Sequence, residues 1–409
     1  MESLPSKFSI TAPGKVILHG DHSVVYGHLA MAASLDLKTK IEYSLQGAAG
    51  SNQRFIHFVM PKIALDLSLS LSEFNHLLSL TDGDTWAFNN PQSIGSAKFN
   101  KILENIDSFM AMKPGLKSLS VQQQQAMKCC LFLMTAILNH PKQDTLPRMQ
   151  PFQLTVTSEL PVGGGAGSSA SFCVSLAALF VVIASLRAEP ANKFNLSDDK
   201  KEIISNWAFL GEKITHGNPS GLDNTVCTFG SLIAFQRPNT MEKIPLNQGL
   251  RVLLVDTKVS RNTKSLVERV ARLRQRHEPV VDTIMKAMNG LSLEAKELLK
   301  QLDEAKLNKS ENEVADLFSK LEELWSINHC LLQSLGVSHP SLERILQIAR
   351  EHNLSGKLTG AGGGGFAIIL LPGHSTGCNL ESMMENLLSN GFDVRDVELG
   401  GPGVQLHLN

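Results

Sequence analysis

A glycine-rich segment, PVGGGAGSS at residues 161–169, stands between a strand-like run and an apolar, helix-like run. Glycine permits backbone conformations in which successive N–H groups turn toward one anion. The first turn of the following helix would add unpaired N–H groups and the positive end of its dipole. The sequence therefore predicts a phosphate-binding loop, although a glycine turn that only links strand to helix would give the same local pattern.

This segment differs from two common nucleotide-binding loops. A Walker A loop ends in Lys-Ser or Lys-Thr, and no such pair closes this one. A dinucleotide-binding loop has the spacing G-x-G-x-x-G and an acidic residue after a new strand about 20 residues on, where this sequence still continues as an apolar helix. A nucleotide site built on this segment must therefore be of another type.

Lys15 lies in an N-terminal run, APGKVILHGDHSVVYG at residues 12–27, on an otherwise apolar strand-like stretch. A lysine is seldom buried without a partner, so packing alone does not account for it. His19 and His22 flank Gly20-Asp21, but their spacing fits neither H-E-x-x-H nor a zinc pattern. For His19, a hydrogen-bonded structural role is the simpler interpretation.

Two acids lie close together in the segment GEKITHGNPSGLDN at residues 211–224. Glu212 falls near the end of a predicted helix, and Asp223 follows a turn that contains glycine and proline. Taken alone, Glu212 fits a solvated surface acid and Asp223 fits a turn-forming residue.

A second glycine-rich segment, KLTGAGGGG at residues 357–365, precedes the apolar run FAIILL. Four successive glycines allow the backbone to approach a neighbour closely. Either a ligand or the first glycine-rich segment could be that neighbour.

The elements that must position these residues alternate in a way that is typical of a mixed α/β protein. For the helix that carries Glu212, Ser197 is a candidate N-cap and Gly217 follows the end. The predicted strands lie within 8–45 and at 54–70, 152–156, 366–371 and 392–399, and the predicted helices at 116–138, 172–186, 197–216 and over most of 264–353.

The length of 409 residues exceeds that of an ordinary domain, which holds about 100 to 200 residues. Proline and polar residues at 239–249 separate two apolar runs and indicate a boundary. We predict one domain over residues 1–246 and a second over 247–409, with a ligand in the cleft between them.

The composition argues against several classes of protein. With 43% hydrophobic and 19% charged residues the chain is typical of a folded protein, and 38 basic against 39 acidic residues leave no net field for nucleic acid or membranes. The six cysteines form no C-x-x-C pair, which favours buried reduced thiols. The N-terminus lacks a signal-peptide pattern, and the apolar run 172–186 is shorter than the roughly 20 residues of a membrane span, so we expect a cytoplasmic protein.

Together, these segments resemble the ordered motifs of the GHMP kinases, which have a lysine-bearing N-terminal strand, a P-x-G-x-G-x-G-S-S loop and a late G-A-G-G-G loop. Within this family, the segments that resemble the mevalonate kinase branch are residues 12–22, 158–161, 216–224, 257–263 and 357–365. Three positions differ from the usual pattern of that branch. Asp21 replaces glutamate, PVGGGAG replaces P-P-G-A-G-L-G, and Lys62, on the adenine side, stands where the animal enzymes tend to have asparagine.

The resemblance implies an α+β, two-domain GHMP kinase fold. Its N-terminal ATP-binding domain would be of the ribosomal-protein-S5-like type and its C-terminal domain ferredoxin-like. The implied reaction transfers the γ-phosphoryl group of ATP to the primary hydroxyl of mevalonate, in isoprenoid and sterol biosynthesis.

The resemblance also implies roles for individual residues. Asp223 would be the base or orienting group, with Lys15 beside it, and Ser169 and Glu212 would hold Mg²⁺. His22 and Thr257 would contact mevalonate. The ATP contacts would be Lys15, Ser158, Gly163, Gly164, Gly165, Ala166, Gly167, Ser168 and Ser169.

Two alternatives remain open: a phosphomevalonate kinase of the same family, and a non-catalytic regulator that keeps the fold and the nucleotide loop. The presence together of Lys15, Ser169, Glu212 and Asp223 argues against the regulator. We expect mevalonate and ATP as ligands, a homodimer, and neither a nucleic acid nor a membrane as partner.

Overall fold

A computed structural model describes residues 5–408, apart from 47–53, 81–87, 139–149, 187–194, 237–239, 373–379 and the single residues 162 and 218. Val162 of the first glycine-rich segment, Asn218 of the turn before Asp223, and Cys378 therefore lie outside the described residues.

The described residues form an α+β protein, as predicted. The helices are α1 (Leu71–Ser79), α2 (Gly95–Met112), α3 (Pro114–Lys117), α4 (Val121–Leu138), α5 (Ser168–Leu186), α6 (Asp198–His216), α7 (Leu222–Phe229), α8 (Thr263–Arg276), α9 (Glu278–Leu307), α10 (Glu311–Ser334), α11 (Pro340–Glu351) and α12 (Leu380–Ser389). The strands are β1 (Lys7–His19), β2 (Ala30–Leu45), β3 (Phe55–Met60), β4 (Leu65–Ser70), β5 (Phe152–Ser158), β6 (Leu232–Gln236), β7 (Thr240–Ile244), β8 (Leu250–Asp256), β9 (Gly356–Thr359), β10 (Phe366–Leu370), β11 (Asp393–Leu399) and β12 (Gln405–Leu408).

The long strand β2 organises the sheet. It pairs with β1 on one side, and on the other with β6 near its start and β5 near its end. A single register pair, Leu35 with Leu399, joins β2 to β11 and so connects the two halves. The main path through the sheet is β4-β3-β5-β2-β11-β8-β10-β9.

The C-terminal part has the predicted ferredoxin-like topology. Its strands are antiparallel and follow the order β11-β8-β10-β9. Helices α8–α11 connect β8 to β9, and α12 connects β10 to β11, which is the β-α-β-β-α-β arrangement.

The predicted domain boundary passes between β7 and β8. The polar segment that suggested it contains a strand, because β7 pairs with β6 along its length. The last strand, β12, returns to pair with β1, so residues 405–408 join the sheet of the N-terminal part. The division at residue 246 stays a prediction.

Helix α5 lies at the centre of the N-terminal core. It packs on α4, α6, α7, β1 and β2. Within the described part of the chain it is the one helix long and apolar enough to cross a membrane, but its side chains are buried inside the protein. A helix that is apolar on all sides needs such surroundings, so it is the core helix that the sequence predicted.

The cysteines agree with the predicted reduced thiols among the described residues. Cys129, Cys130, Cys173 and Cys227 are free and buried, whereas Cys330 is free and exposed. Cys129 and Cys173 face each other on α4 and α5, with their sulfur atoms 3.5 Å apart.

Candidate active site

A cavity of about 590 Å³ opens where β1, the loop before α5, the α6–α7 turn, the start of α8 and the loop after β9 meet. Most of the residues predicted for the site line it. They are Lys15, Gly163, Gly165, Gly167, Ser168, Ser169, Glu212 and Asp223.

The first glycine-rich segment forms one wall of this cavity. Gly163, Gly165 and Gly167 have φ of 78°, 88° and 76°, in the left-handed region that favours glycine. A Cβ on Gly167 would lie 2.9 Å from Cγ of Lys15, so the loop and β1 approach too closely for a larger residue. Helix α5 begins at Ser168, which directs its unpaired N–H groups toward the cavity.

Lys15 and Asp223 form an ion pair in this cavity. Lys15 Nζ lies 3.2 Å from Asp223 Oδ2, with side-chain exposures of 6% and 37%. The same ammonium group donates a long hydrogen bond of 3.4 Å to Gly165 O. Asp223 is the second residue of α7 rather than part of the preceding turn, so a turn-forming role does not explain it.

Glu212 lies in the last turns of α6 and is 2% exposed, so the interpretation as a surface acid is wrong. Its Oε2 has no hydrogen-bond partner among the described residues. Burial, and then the negative charge of Asp223, raise the pKa of Glu212 from 4.5 to about 8, while Lys15 opposes this rise.

This carboxylate fits a cation site. An unpartnered buried oxygen, a second carboxylate and the Ser169 hydroxyl line the same cavity, and these are oxygen donors of the kind that Mg²⁺ prefers. The described residues contain no group of three or more His, Cys, Asp or Glu side chains that could hold a metal alone. A Mg²⁺ ion here would share its coordination with ligand oxygens or water, as Mg²⁺ commonly does.

A second, more apolar cavity of about 310 Å³ adjoins the first and shares Gly163, Ser168 and Ser169 with it. Ser158 lines this cavity, and its hydroxyl lies 3.0 Å from that of Thr39. Lys62 also lines it and donates hydrogen bonds to the carbonyl oxygens of Ser158 and Leu160. Its apolar walls come from Met60, Ile63, Val156, Leu160 and Phe172.

His22 and Thr257 do not line either cavity. His22 Nε2 lies 2.9 Å from Ala361 O, and the Thr257 hydroxyl donates to Gly365 O at 2.8 Å. Both side chains thus contact the second glycine-rich segment.

His19 differs from the sequence prediction. It is fully buried, but neither ring nitrogen has a hydrogen-bond partner among the described residues. Burial and then the charge of Lys357 lower the pKa of His19 to about 3, which keeps the ring neutral.

Arg261 lines the main cavity, although it was not among the residues predicted for the site. Its guanidinium donates to Thr359 O at 3.2 Å and occupies the space where a Cβ on Gly165 would stand. A signal was present in the sequence: Arg261 precedes Asn262, the N-cap of α8, and a cation at the N-terminal end of a helix opposes the helix dipole.

Comparison with known proteins assigns the family. A model of the GHMP kinases N terminal domain matches residues 128–231, and one of the GHMP kinases C terminal matches residues 295–388. The mevalonate kinase of Arabidopsis thaliana is 33% identical over 396 residues, which cover 97% of this chain and 98% of that protein. The chain belongs to the mevalonate kinase family.

Other members agree with this assignment. The mevalonate kinase of Mus musculus is 34% identical over 404 residues, covering 97% of this chain and 94% of that protein. The crystal structure of L. major mevalonate kinase in complex with R-mevalonate has the same fold, with a TM-score of 0.64, 21% identity, and coverage of 98% and 100% of the two chains. This member of the mevalonate kinase family is therefore an ATP-dependent small-molecule kinase of isoprenoid biosynthesis, as the resemblance implied.

Proposed function

We propose that this chain transfers the γ-phosphoryl group of ATP to the primary hydroxyl of mevalonate. The observation that carries the proposal is the Lys15–Asp223 ion pair, which lies in one cavity with a glycine-rich loop and the N-terminus of α5. A phosphate-binding wall stands beside a carboxylate that retains solvent access, and phosphoryl transfer to an alcohol requires this combination.

In this proposal ATP occupies both cavities. The base and sugar lie in the apolar cavity, near Ser158 and Phe172, and the phosphates follow the shared loop into the polar cavity. Backbone N–H groups of Gly163–Ser169 cradle the phosphates, and Lys15 adds a positive charge. Lys62 donates hydrogen bonds to the carbonyl oxygens of Ser158 and Leu160, so in this proposal it stabilises the wall of the apolar cavity.

Ser169 and Glu212 would hold Mg²⁺. When bound, Mg²⁺ neutralises charge on the phosphate oxygens of the nucleotide. Before any ion binds, burial keeps the pKa of Glu212 at about 8, so a cation at this position competes with a proton.

Asp223 accepts a hydrogen bond from the primary hydroxyl of mevalonate and takes its proton as the hydroxyl oxygen bonds to the γ-phosphorus and the bond from that phosphorus to ADP breaks. Lys15, 3.2 Å away, forms an ion pair with that carboxylate and stabilises negative charge on the transferring group. Arg261, which lines the same cavity, supplies a further positive charge. The transition state is loose, so positioning and charge neutralisation carry most of the rate.

Further assignments follow from the resemblance alone. They are mevalonate contacts for His22 and Thr257, a homodimer, and a cytoplasmic location. Sedimentation equilibrium over a range of concentrations tests the homodimer.

A coupled ADP-release assay with mevalonate, phosphomevalonate, galactose and homoserine tests the reaction. We expect substantial Mg²⁺-dependent release with mevalonate alone. Faster turnover of phosphomevalonate would move the assignment to that kinase, and no release with any of the four, from protein that binds ATP, would favour a non-catalytic role.

A further inference from the structure

A second lysine–aspartate pair is buried next to residues that line the proposed site. Lys357 Nζ is 2.9 Å from Asp21 Oδ2, and both side chains are fully buried. Asp21 Oδ1 accepts a hydrogen bond of 2.6 Å from the N–H of Gly360. The two oxygens of one carboxylate therefore contact the first residue of the predicted KLTGAGGGG segment and a residue three positions later.

Neighbouring residues extend this attachment. His22, which follows Asp21, holds the carbonyl oxygen of Ala361, which follows Gly360. Thr359, which precedes Gly360, is also attached to β1. Its hydroxyl accepts a hydrogen bond from the N–H of Ile17 at 3.0 Å and donates one to the carbonyl oxygen of Ile17 at 2.9 Å. The end of β1 and the turn after it thus fix three consecutive residues of the second glycine-rich segment.

Two of the three fixed residues line the cavity of the proposed site. Gly360 and Ala361 line the main cavity together with Lys15 and Asp223. Arg261 rests on this segment: it donates to Thr359 O, and a Cβ on Gly360 would lie 3.0 Å from both of its terminal nitrogens. Arg261 lies between Gly360 and Gly165 of the first glycine-rich segment, so displacement of Gly360 would displace Arg261.

Stability alone is a weak reason for such a pair. Buried ion pairs are often matched or exceeded in stability by apolar residues of similar volume, because desolvation of the charges offsets their attraction. The hydrogen bond from Gly360 gives the carboxylate a geometric role that an apolar residue could not fill.

We propose that Asp21 and Lys357 are positioning residues, which set Gly360 and Ala361, and through them Arg261, at the correct place in the cavity. Lys357 holds one carboxylate oxygen so that the other points at the N–H of Gly360. The proposal deepens the proposed function, because the reaction to be positioned is the phosphoryl transfer described above.

Two double variants separate positioning from stability. Asp21→Asn with Lys357→Met removes both charges but leaves an amide oxygen that can accept from Gly360. Asp21→Leu with Lys357→Met removes both charges and the acceptor while it keeps the number and branching of side-chain heavy atoms. Neither leaves a buried charge without a partner, so we expect both to fold, with similar thermal midpoints.

We expect the Asn double variant to keep kcat near that of the natural chain. The Leu double variant should lose about 10- to 100-fold in kcat, since small displacements of a positioned group cost this much, with KM for ATP nearly unchanged. Hydrogen exchange followed by mass spectrometry should show faster exchange at residues 360–365 in the Leu variant only. Equal kcat and equal exchange in the two double variants would overturn the proposal.

The exchange measurement keeps this proposal separate from the proposed function. If mevalonate is not a substrate, the difference in exchange between the two variants is still expected. If the Leu variant fails to fold, Asp21→Ala with Lys357→Met replaces it, because alanine removes the charge and the acceptor for Gly360 without added bulk. Exchange at residues 360–365 and kcat both equal to those of the Asn double variant would then reject the proposal.

Discussion

The two lysine–aspartate pairs have the same chemistry but different surroundings. Lys15 and Asp223 are 3.2 Å apart, and the carboxylate side chain is 37% exposed. Lys357 and Asp21 are 2.9 Å apart and wholly buried. In the buried pair both carboxylate oxygens accept from protein donors, Lys357 Nζ and Gly360 N–H, so no ligand can reach them.

The difference shows what makes an ion pair available for chemistry. Among the described residues, Lys15 Nζ contacts Asp223 and makes one long hydrogen bond to Gly165 O, which leaves one ammonium proton for a phosphate. Lys357 also donates to Leu358 O at 2.6 Å, so its protons serve the fold. We therefore expect substitutions in the exposed pair to change rates, and single substitutions in the buried pair, which leave one charge without its partner, to change stability first.

The largest effect should come from Asp223→Asn. A base needs the carboxylate, whereas asparagine keeps the shape and the local backbone. We expect kcat to fall roughly 10²- to 10⁴-fold, the usual span for a general acid–base group. ATP binding, measured with a fluorescent nucleotide, and the thermal midpoint should change little. A normal kcat in this variant would remove Asp223 from the mechanism.

A double variant with Lys15→Met extends this test. Because Lys15 and Asp223 act on one charge centre, the cost of the double change should be much less than the sum of the single costs in free energy. Full additivity would show that the two residues act separately.

The next largest effect is expected for Lys357→Met, in stability. This change leaves Asp21 buried without its counter-ion, which costs about 3 to 5 kcal/mol of unfolding free energy. Lys15→Met is the matched control, since the partner that it leaves, Asp223, can be solvated. Urea unfolding of the two variants measures the contrast, and equal losses in both would contradict it.

A smaller effect is expected for substitutions of Glu212 and Ser169, the proposed Mg²⁺ ligands. Glu212→Gln and Ser169→Ala should each raise the Mg²⁺ concentration needed for half-maximal activity and lower kcat, with the fold retained. Circular dichroism checks the fold, and titration of activity with Mg²⁺ measures the requirement. Wild-type activity of Glu212→Gln at low Mg²⁺ would show that this carboxylate does not bind the ion.

The last effect concerns the pH dependence of stability. The pKa of Glu212 is raised from 4.5 in the unfolded chain to about 8 in the folded, metal-free protein, so the folded state retains a proton that the unfolded state has lost. Its contribution to stability is full below about pH 4.5 and is lost as pH rises toward 8. Urea unfolding at several pH values without Mg²⁺ should show this decline, and Glu212→Gln should make it shallower. An unchanged slope in the variant would refute the assignment.

Local patterns predicted several elements correctly but not α1, α2, α7 or β7, and the correct predictions depend on neighbours in the sequence. The apolar run of α5, and the cap Ser197 and stop Gly217 of α6, are local signals and were confirmed. The ferredoxin-like order of the C-terminal strands was implied by the resemblance and not by periodicity.

Side-chain surroundings were harder to predict, because distant segments create them. Burial of Glu212 depends on the packing of α6 in the core, and the sequence nearby resembles that of a surface helix. From the sequence, either a ligand or the first glycine-rich segment could be the neighbour of the second glycine-rich segment. For part of that segment the neighbour is instead the polypeptide around the start of α8. A Cβ on Gly364 would lie 2.7 Å from Val259 O, and one on Gly363 would lie 2.9 Å from Leu266 Cδ1, so these glycines accommodate protein atoms.

The pairing of β12 with β1 has a consequence for biosynthesis. Phe8 pairs with Leu408, so almost the whole chain separates the two partners. A ribosome synthesises β1 long before β12, and contacts between such distant segments form slowly. One edge of β1 therefore stays without its partner strand until β12 has been synthesised. During that time the nascent chain offers an open strand edge on which a chaperone, or a second copy, could pair.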